Sequence, residues 1–168
     1  MKLFISSACA VMISTVPLAA IAPPPNDTST EEIESSAQLS AYESSVPKPT
    51  LSEVRYGDHE RHVLDFWKAP ADTPTPLVFV IHGGGWSGGS KERLARFVDP
   101  AALLKAGISV VAINYRLMKH ADDVEPPVKA PMHDAARALQ FVRSKATEWN
   151  IEKERIGAAG GSAGGSTR

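Results

Sequence analysis

Cysteine is almost missing from the sequence: Cys9 is the single thiol among 168 residues. An internal disulfide is therefore impossible, and so are a cysteine-ligated zinc site and a catalytic thiol in the body of the chain. Neither sign of charge is in excess. Eighteen Lys and Arg face nineteen Asp and Glu, for a net charge of −1, which excludes a polybasic nucleic-acid binder and a highly charged disordered chain. Internal repeats are lacking, so a solenoid is not expected. The 12 Gly and 13 Pro show no collagen-like period. The length suits about one domain at most.

The N-terminal segment reads as an address. Lys2 precedes an apolar stretch from Leu3 to Ile21, interrupted by Ser6, Ser7, Ser14 and Thr15, and Ala20-Ile21-Ala22 supplies the small-x-small pattern of a signal-peptidase site. A permanent span wants about 20 uninterrupted apolar residues, and the serines and Pro17 argue against one. Cys9 raises a lipid anchor, but Ser6-Ser7-Ala8 precedes it where such a site favours leucine. The expectation is a signal peptide over 1–22, a secreted or periplasmic protein, and a mature form with no stable membrane span. Residues 23–53 then open on Pro23-Pro24-Pro25 and hold six acids (Asp27, Glu31, Glu32, Glu34, Glu43, Glu53) against one base, Lys48. A segment so polar buries too little surface to offset its ordering entropy. It is expected to be a disordered acidic linker, with a partner-binding arm as the alternative.

From Val54 the pattern changes. Val54 and Tyr56, then His62, Leu64 and Phe66, lie at period two around Gly57-Asp58, which predicts an antiparallel pair. Leu77 to Ile81 is a continuous apolar run, and Ile108 to Ile113 is broken only by Ser109; such runs form strands buried on both faces, as in a parallel sheet. Between them Asp99-Pro100 predicts a helix start and Gly107 its end. After a loop broken by Pro126, Pro127 and Pro131, an apolar stripe at helical spacing runs through Met132, Ala135, Ala136, Leu139, Val142, Ala146 and Trp149. Ile156 to Ala159 predicts one more short strand. The sum is an α/β architecture over 54–168, a mostly parallel sheet with helices on both faces.

Two motifs carry chemistry. His82-Gly83-Gly84-Gly85-Trp86 directly follows the first buried strand, and three glycines allow a tight backbone path whose N–H groups are free to stabilise a developing oxyanion. Gly160-Gly161-Ser162-Ala163-Gly164 is a G-x-S-x-G at a strand end, where a serine on a sharp strand-to-helix turn is presented as a nucleophile. Other readings of these residues are weaker. Gly83-x-Gly85-x-x-Gly88 matches a dinucleotide fingerprint, but Asn114-Tyr115-Arg116 offers no acid at the end of the next strand. Gly160-x4-Gly165-Ser166-Thr167 lacks the lysine of a phosphate loop. His59 and His62, on an alternating strand, would point to opposite faces and not share a metal; they read as surface histidines. Trp86 has two readings, pocket wall and core packing.

The combination of HGGGW, Asn114-Tyr115-Arg116-Leu117 and GGSAGG resembles the α/β-hydrolase fold. More narrowly, it resembles the carboxylesterases with an HGGG oxyanion loop, in the hormone-sensitive-lipase-like and acetyl- and feruloyl-esterase-like branches. The resemblance runs from about Val54 to Gly165. It implies Ser162 as catalytic nucleophile, Gly84, Gly85 and Ala163 as oxyanion-hole donors, Gly83 as a shaper of the loop, and no role for His82 as the base. It implies neither a metal nor another cofactor, and a small-molecule or glycan ester as substrate; a prolyl-oligopeptidase-like peptidase is the enzymatic alternative. In this family the order is Ser, then Asp or Glu, then His. All five histidines here (His59, His62, His82, His120, His133) precede Ser162. The sequence thus reads as the N-terminal part of such an enzyme, truncated after the nucleophile elbow and inactive alone. A secreted, non-catalytic remnant is the other possibility.

Overall fold

The computed structural model describes residues 42–121 and 124–167. The expected signal peptide and residues 23–41 of the expected linker lie outside them. Five strands, β1 (Leu51–Arg55), β2 (Val63–Trp67), β3 (Thr75–Ile81), β4 (Ser109–Ile113) and β5 (Ile151–Gly160), form one mixed sheet in the order β1-β2-β4-β3-β5. β1 and β2 are antiparallel, as are β2 and β4, whereas β3 runs parallel to both β4 and β5. The helices are α1 (Pro100–Lys105), α2 (Lys129–Ser144), α3 (Ala146–Trp149) and α4 (Ala163–Thr167). No described helix is long and apolar enough to cross a membrane.

The two central apolar runs become the centre of the sheet because both of their faces can be buried. Every residue of β4 is buried. On one face Phe66, Phe79, Ile81, Val111 and Ile113 pack against Ala135, Ala138 and Val142 of α2 and Trp149 of α3, with Phe66 and Trp149 stacked at 4.6 Å. On the other, Trp67, Val80, Val110 and Ala112 meet Leu94, Phe97, Leu103 and Leu104. Helices therefore cover both faces. α1 starts as its sequence predicts: the Asp99 carboxylate accepts from Ala102 N–H at 3.0 Å, Pro100 fills the first turn, and Gly107 beyond its end takes φ +76°.

Four expectations need correction. The linker does not extend to residue 53: Tyr42 packs edge-on against Trp67 at 5.2 Å and donates to Asp65 at 2.6 Å, Trp67 donates to Pro47 O at 2.7 Å, and Leu51–Glu53 belong to β1. Two aromatic rings offset the polarity of this stretch. Helix α2 begins at Lys129, so Pro131 sits in its first turn, where its missing N–H leaves no bond unmade. Its buried stripe is Ala130, Asp134, Ala135, Ala138 and Val142, while Met132 and Ala136 face outward; a paired carboxylate, not a methionine, is turned inward. Strand β5 is longer than Ile156–Ala159. Its ladder pairs Ile151 with Thr75 and resumes at Ile156 with Leu77, so the charged run Glu152–Arg155 bulges out between them.

A buried ionic cluster ties β1 and β2 to the 3₁₀ turn Lys91–Arg96. Lys91 is 2% exposed, and its ammonium lies 3.1 Å from Asp65 and 2.7 Å from Glu92, and also pairs with Glu53. Burial alone would lower its pKa, but the three carboxylates outweigh that and raise it. Glu53 takes φ +54° at a bulge and points its N–H to Asp65 at 2.7 Å. Lys91→Met keeps the volume and leaves Asp65 without its cation. The expected cost is about 3 kcal/mol in urea denaturation, and a loss within error of zero would show that the cluster is not coupled to the fold.

Candidate active site

Ile81 of β3 and Gly160 of β5 are the last paired residues of two parallel neighbours. The chain therefore leaves the sheet at one level on both strands, into His82-Gly83-Gly84-Gly85 and into Gly161-Ser162-Ala163. This is the carboxyl edge of an open α/β sheet, where the strand ends leave a crevice for ligands.

The second turn is strained in a specific way. Ser162 has φ +54° and is exposed, and α4 begins directly after it. A non-glycine residue in this region is uncommon. The flanking glycines explain how the turn fits. A Cβ on Gly160 would lie 2.5 Å from Ile81 O, and one on Gly164 would lie 2.1 Å from the same oxygen. The elbow is thus pressed against the end of β3 by two residues that have no side chain.

The glycine loop meets it from the other side. A Cβ on Gly83 would stand 2.6 Å from Gly161 O. Gly84 takes φ +131° and Gly85 φ +60°, and Gly84 O accepts from Ser87 N–H and Gly88 N–H, each at 3.1 Å, which folds the loop back on itself. Among the described residues the N–H groups of Gly84, Gly85 and Ala163 donate to no other group. A cavity of about 300 Å³ is lined by Gly83, Gly84, Gly161 and Ser162, together with Arg93, Arg96 and Phe97 of the neighbouring 3₁₀ turn and its end. Trp86 does not line it; its indole packs on the core and donates to Thr167 at 3.2 Å, tying the loop to α4. A larger groove between α2 and β5 reaches Thr167 but not Ser162.

Beneath the loop, His82 is 2% exposed and stacks on Tyr115 at 4.1 Å. Its Nδ1 lies 2.9 Å from Gly83 O, and its Nε2 faces Arg61 at 3.5 Å, an arrangement that suits a neutral ring with its proton on Nδ1. Tyr115 donates to His82 O at 2.8 Å, while Arg61 donates to Tyr115 O at 2.7 Å and to Gly89 O at 2.8 Å. His82 thus supports the loop from below and does not line the cavity that holds Ser162.

The BD-FAE family model matches residues 64–167, a span that contains both turns. This chain belongs to the BD-FAE family. It has the α/β-hydrolase fold over the part described. It is 35% identical over 119 residues to "Probable carboxylic ester hydrolase LipM" of Mycobacterium tuberculosis, covering 67% of this chain and 26% of that protein. To carboxylesterase NlhH of the same species it is 35% identical over 103 residues, covering 60% of this chain and 30% of the relative. Among solved structures, a truncated carbohydrate esterase from gut microbiota superposes with a TM-score of 0.62 at 28% identity, over 76% of this chain and 44% of that one. The chain spans less than a third of the length of these two curated relatives.

In this BD-FAE chain Ser162, Gly83 and Gly84 line one cavity, Ala163 follows Ser162 as the first residue of α4, and Gly85 lies next in the glycine loop but does not line that cavity. His59 and His62 require correction. They lie in or beside a turn, not on an extended strand, with their rings 5.5 Å apart on the same side. His62 is 5% exposed and its Nε2 stands 3.0 Å from Asp134. No group of three or more His, Cys, Asp or Glu among the described residues could hold a metal.

Sequence reasoning missed Arg61 and Asp134. Asp134 is 1% exposed and receives the Arg116 guanidinium at 2.9 and 3.0 Å and the Arg116 N–H at 2.9 Å. Burial alone would raise its pKa, but the Arg116 bonds and the His62 contact hold the carboxyl below its usual value. A signal existed: Asp134 stands four residues from both Ala130 and Ala138, on the buried stripe, where a carboxylate requires a partner.

Stability should depend on pH through the histidines. Burial pushes His82 down to about 4, with Arg61 adding to the effect against the Gly83 hydrogen bond, and burial lowers His62 as well. A folded-state pKa below the unfolded value of about 6.5 means that the unfolded chain binds more protons as pH falls. The stabilisation is therefore complete above pH 6.5 or so and is lost toward pH 4. For His82 this amounts to about 3 kcal/mol, to which Asp134 adds at lower pH as its depressed carboxyl protonates. Melting temperatures should fall steadily from pH 7 to pH 4, and less steeply in His82→Gln. An equal slope in that variant would place the titration elsewhere.

Proposed function

We propose that this is an exported serine carboxylesterase of the BD-FAE family, acting on short-acyl or carbohydrate esters. The observation that carries the reading is the exposed Ser162 at φ +54°, sharing a cavity with the glycine loop at Gly83 and Gly84, on two strand ends held in register. In the reaction Ser162 Oγ attacks the ester carbonyl, and the carbonyl oxygen, becoming anionic, is received by Gly84, Gly85 and Ala163 N–H. The alcohol then leaves, and water releases the acyl group from Ser162. Each such donor contributes about a hundredfold or more in rate.

Attack also requires a base, oriented by an acid. Among the described residues no histidine lines the cavity that holds Ser162. The base and acid are proposed to follow Ser162 in the order this family uses, supplied by sequence beyond Arg168. Export would be directed by residues 1–22. The carbohydrate-esterase and carboxylesterase names of the relatives support the substrate class.

The test starts with the genomic reading frame past codon 168. Its product is expressed and offered an acetylated sugar, a feruloylated sugar and a prolyl amide, and Ser162 is probed with a fluorophosphonate followed by peptide mapping. Ester hydrolysis with label on the Ser162 peptide is expected. Turnover of the prolyl amide alone would favour a peptidase. No continuation, no label and no turnover would leave a non-catalytic remnant.

A further inference from the structure

The cavity beside Ser162 is not electrically neutral. Arg93 and Arg96 both line it, and the reason lies in local geometry. They stand three residues apart on the 3₁₀ turn Lys91–Arg96, in which side chains at i and i+3 eclipse and leave on one face. The opposite side of the turn is anchored by Leu94, 1% exposed, and by Lys91 within its carboxylate cluster. Phe97, which ends the turn, lies so close to Gly161 that a Cβ there would be 2.7 Å from its ring. The turn is therefore seated against the elbow, and its two-arginine face is directed to the crevice.

Among the described residues these arginines have no hydrogen-bonded or ionic partner for their side chains, although Arg96 also borders a second cavity shared with Glu43 and Asp99. Lys91 takes up Glu53, Asp65 and Glu92, and Asp134 takes up Arg116 and His62. Asp99 is used as the cap of α1. Arg93 and Arg96 are exposed, and among the described residues neither makes an ion pair. No carboxylate lines the cavity with them. A guanidinium offers a planar fork of donors that fits a carboxylate two bonds at a time. Two such forks at one cavity offer donors enough for a carboxylate.

We propose that Arg93 and Arg96 make this an esterase for substrates that carry a carboxylate near the scissile ester. The proposal rests on the esterase reading for its catalytic part, and on the two arginines alone for its binding part. A carboxylate held by them would place the ester at the Ser162 end of the same cavity. The negative charge that hinders neutral esterase pockets would here be an anchor.

Two matched pairs of compounds test it. Hydrolysis compares 4-acetoxybenzoate with 4-acetoxybenzamide, which share the acetyl ester and differ in charge at the far end of the ring. The expected preference for the carboxylate is about tenfold in kcat/KM for two partly solvated charge contacts. It should collapse toward one in the Arg93→Gln/Arg96→Gln double variant, and shrink in high salt. Binding compares the non-hydrolysable 4-acetamidobenzoate and 4-acetamidobenzamide by NMR titration of the protein. Saturable shifts at the Gly83, Gly84 and Gly161 amides are expected for the carboxylate alone, and are expected to vanish in the double variant.

The outcomes separate the two ideas. Hydrolysis of both esters without preference, or equal binding of both amides, overturns the anion subsite and leaves the esterase standing. With the full product of the reading frame as the protein assayed, selective binding of the carboxylate without hydrolysis of either ester supports the subsite and overturns the esterase. Absence of saturable carboxylate binding, or binding that survives the double substitution, overturns the subsite. Both arginines are exposed, so the double variant is expected to fold, and its melting temperature checks this.

Discussion

Ser162→Ala is expected to abolish ester hydrolysis by the gene product, a loss on the order of a millionfold where nucleophile and base act as a unit. The substitution removes one oxygen. It adds no bulk, and alanine tolerates positive φ about as poorly as serine does, so the fold should be unaffected within about 0.5 kcal/mol. Ser166 is the internal control: it too is exposed, but it sits in α4 with its hydroxyl and its N–H both directed to Ser162 O, at 3.5 and 3.1 Å. Ser166→Ala should retain hydrolysis. Equal activity in Ser162→Ala would remove Ser162 from the mechanism, whatever the family resemblance.

Gly164→Ala is expected to have the largest effect on stability, upwards of about 5 kcal/mol. The new methyl would sit 2.1 Å from Ile81 O and 2.9 Å from His82 O. Both obstacles are backbone, at the end of a strand buried on both faces, so neither can rotate away. Relief requires α4 to lift from β3, which drags Ser162 with it. Gly165→Ala is the matched control, because its Cβ would meet Gly160 O at an ordinary 3.5 Å and alanine is the better helix former. Chemical denaturation of the pair should show a loss for the first and little change for the second. A small cost at Gly164 would mean that the elbow is looser than its contacts imply.

The difference between these two glycines separates what a sequence carries from what only the fold supplies. The parallel strands were legible because burial on both faces demands uninterrupted apolar runs, and Leu77–Ile81 and Val110–Ile113 are such runs. The two turns were legible because glycine is concentrated where backbone approaches backbone. The stripe that runs through helices α2 and α3 is legible at Ala135, Leu139, Val142, Ala146 and Trp149 but not at its start, where Met132 and Ala136 face outward and Asp134 is turned inward by Arg116 and His62. The β1 end of the acidic segment was read as solvated because composition averages over Tyr42, whose hydroxyl finds Asp65 from 23 residues away. Arg61 was invisible for a related reason. Its acceptors are the main-chain carbonyls of Tyr115 and Gly89, and every residue type carries a carbonyl. Nothing in a sequence marks the ones that a distant guanidinium will use.

The pairing of Ile81 with Gly160 has a consequence for how such a site can change over generations. The two turns are separated by about 80 residues of chain but by a single rung of the sheet, and a slip of one residue between β3 and β5 would shift one turn past the other by about 3.3 Å. Insertions and deletions in the connecting crossovers leave that rung untouched, so those segments are free to lengthen, shorten and diversify. The strand ends are not. A lineage could thus acquire new substrates by rewriting the crossovers, the 3₁₀ turn with its arginines among them, while inheriting the chemistry as one indivisible unit.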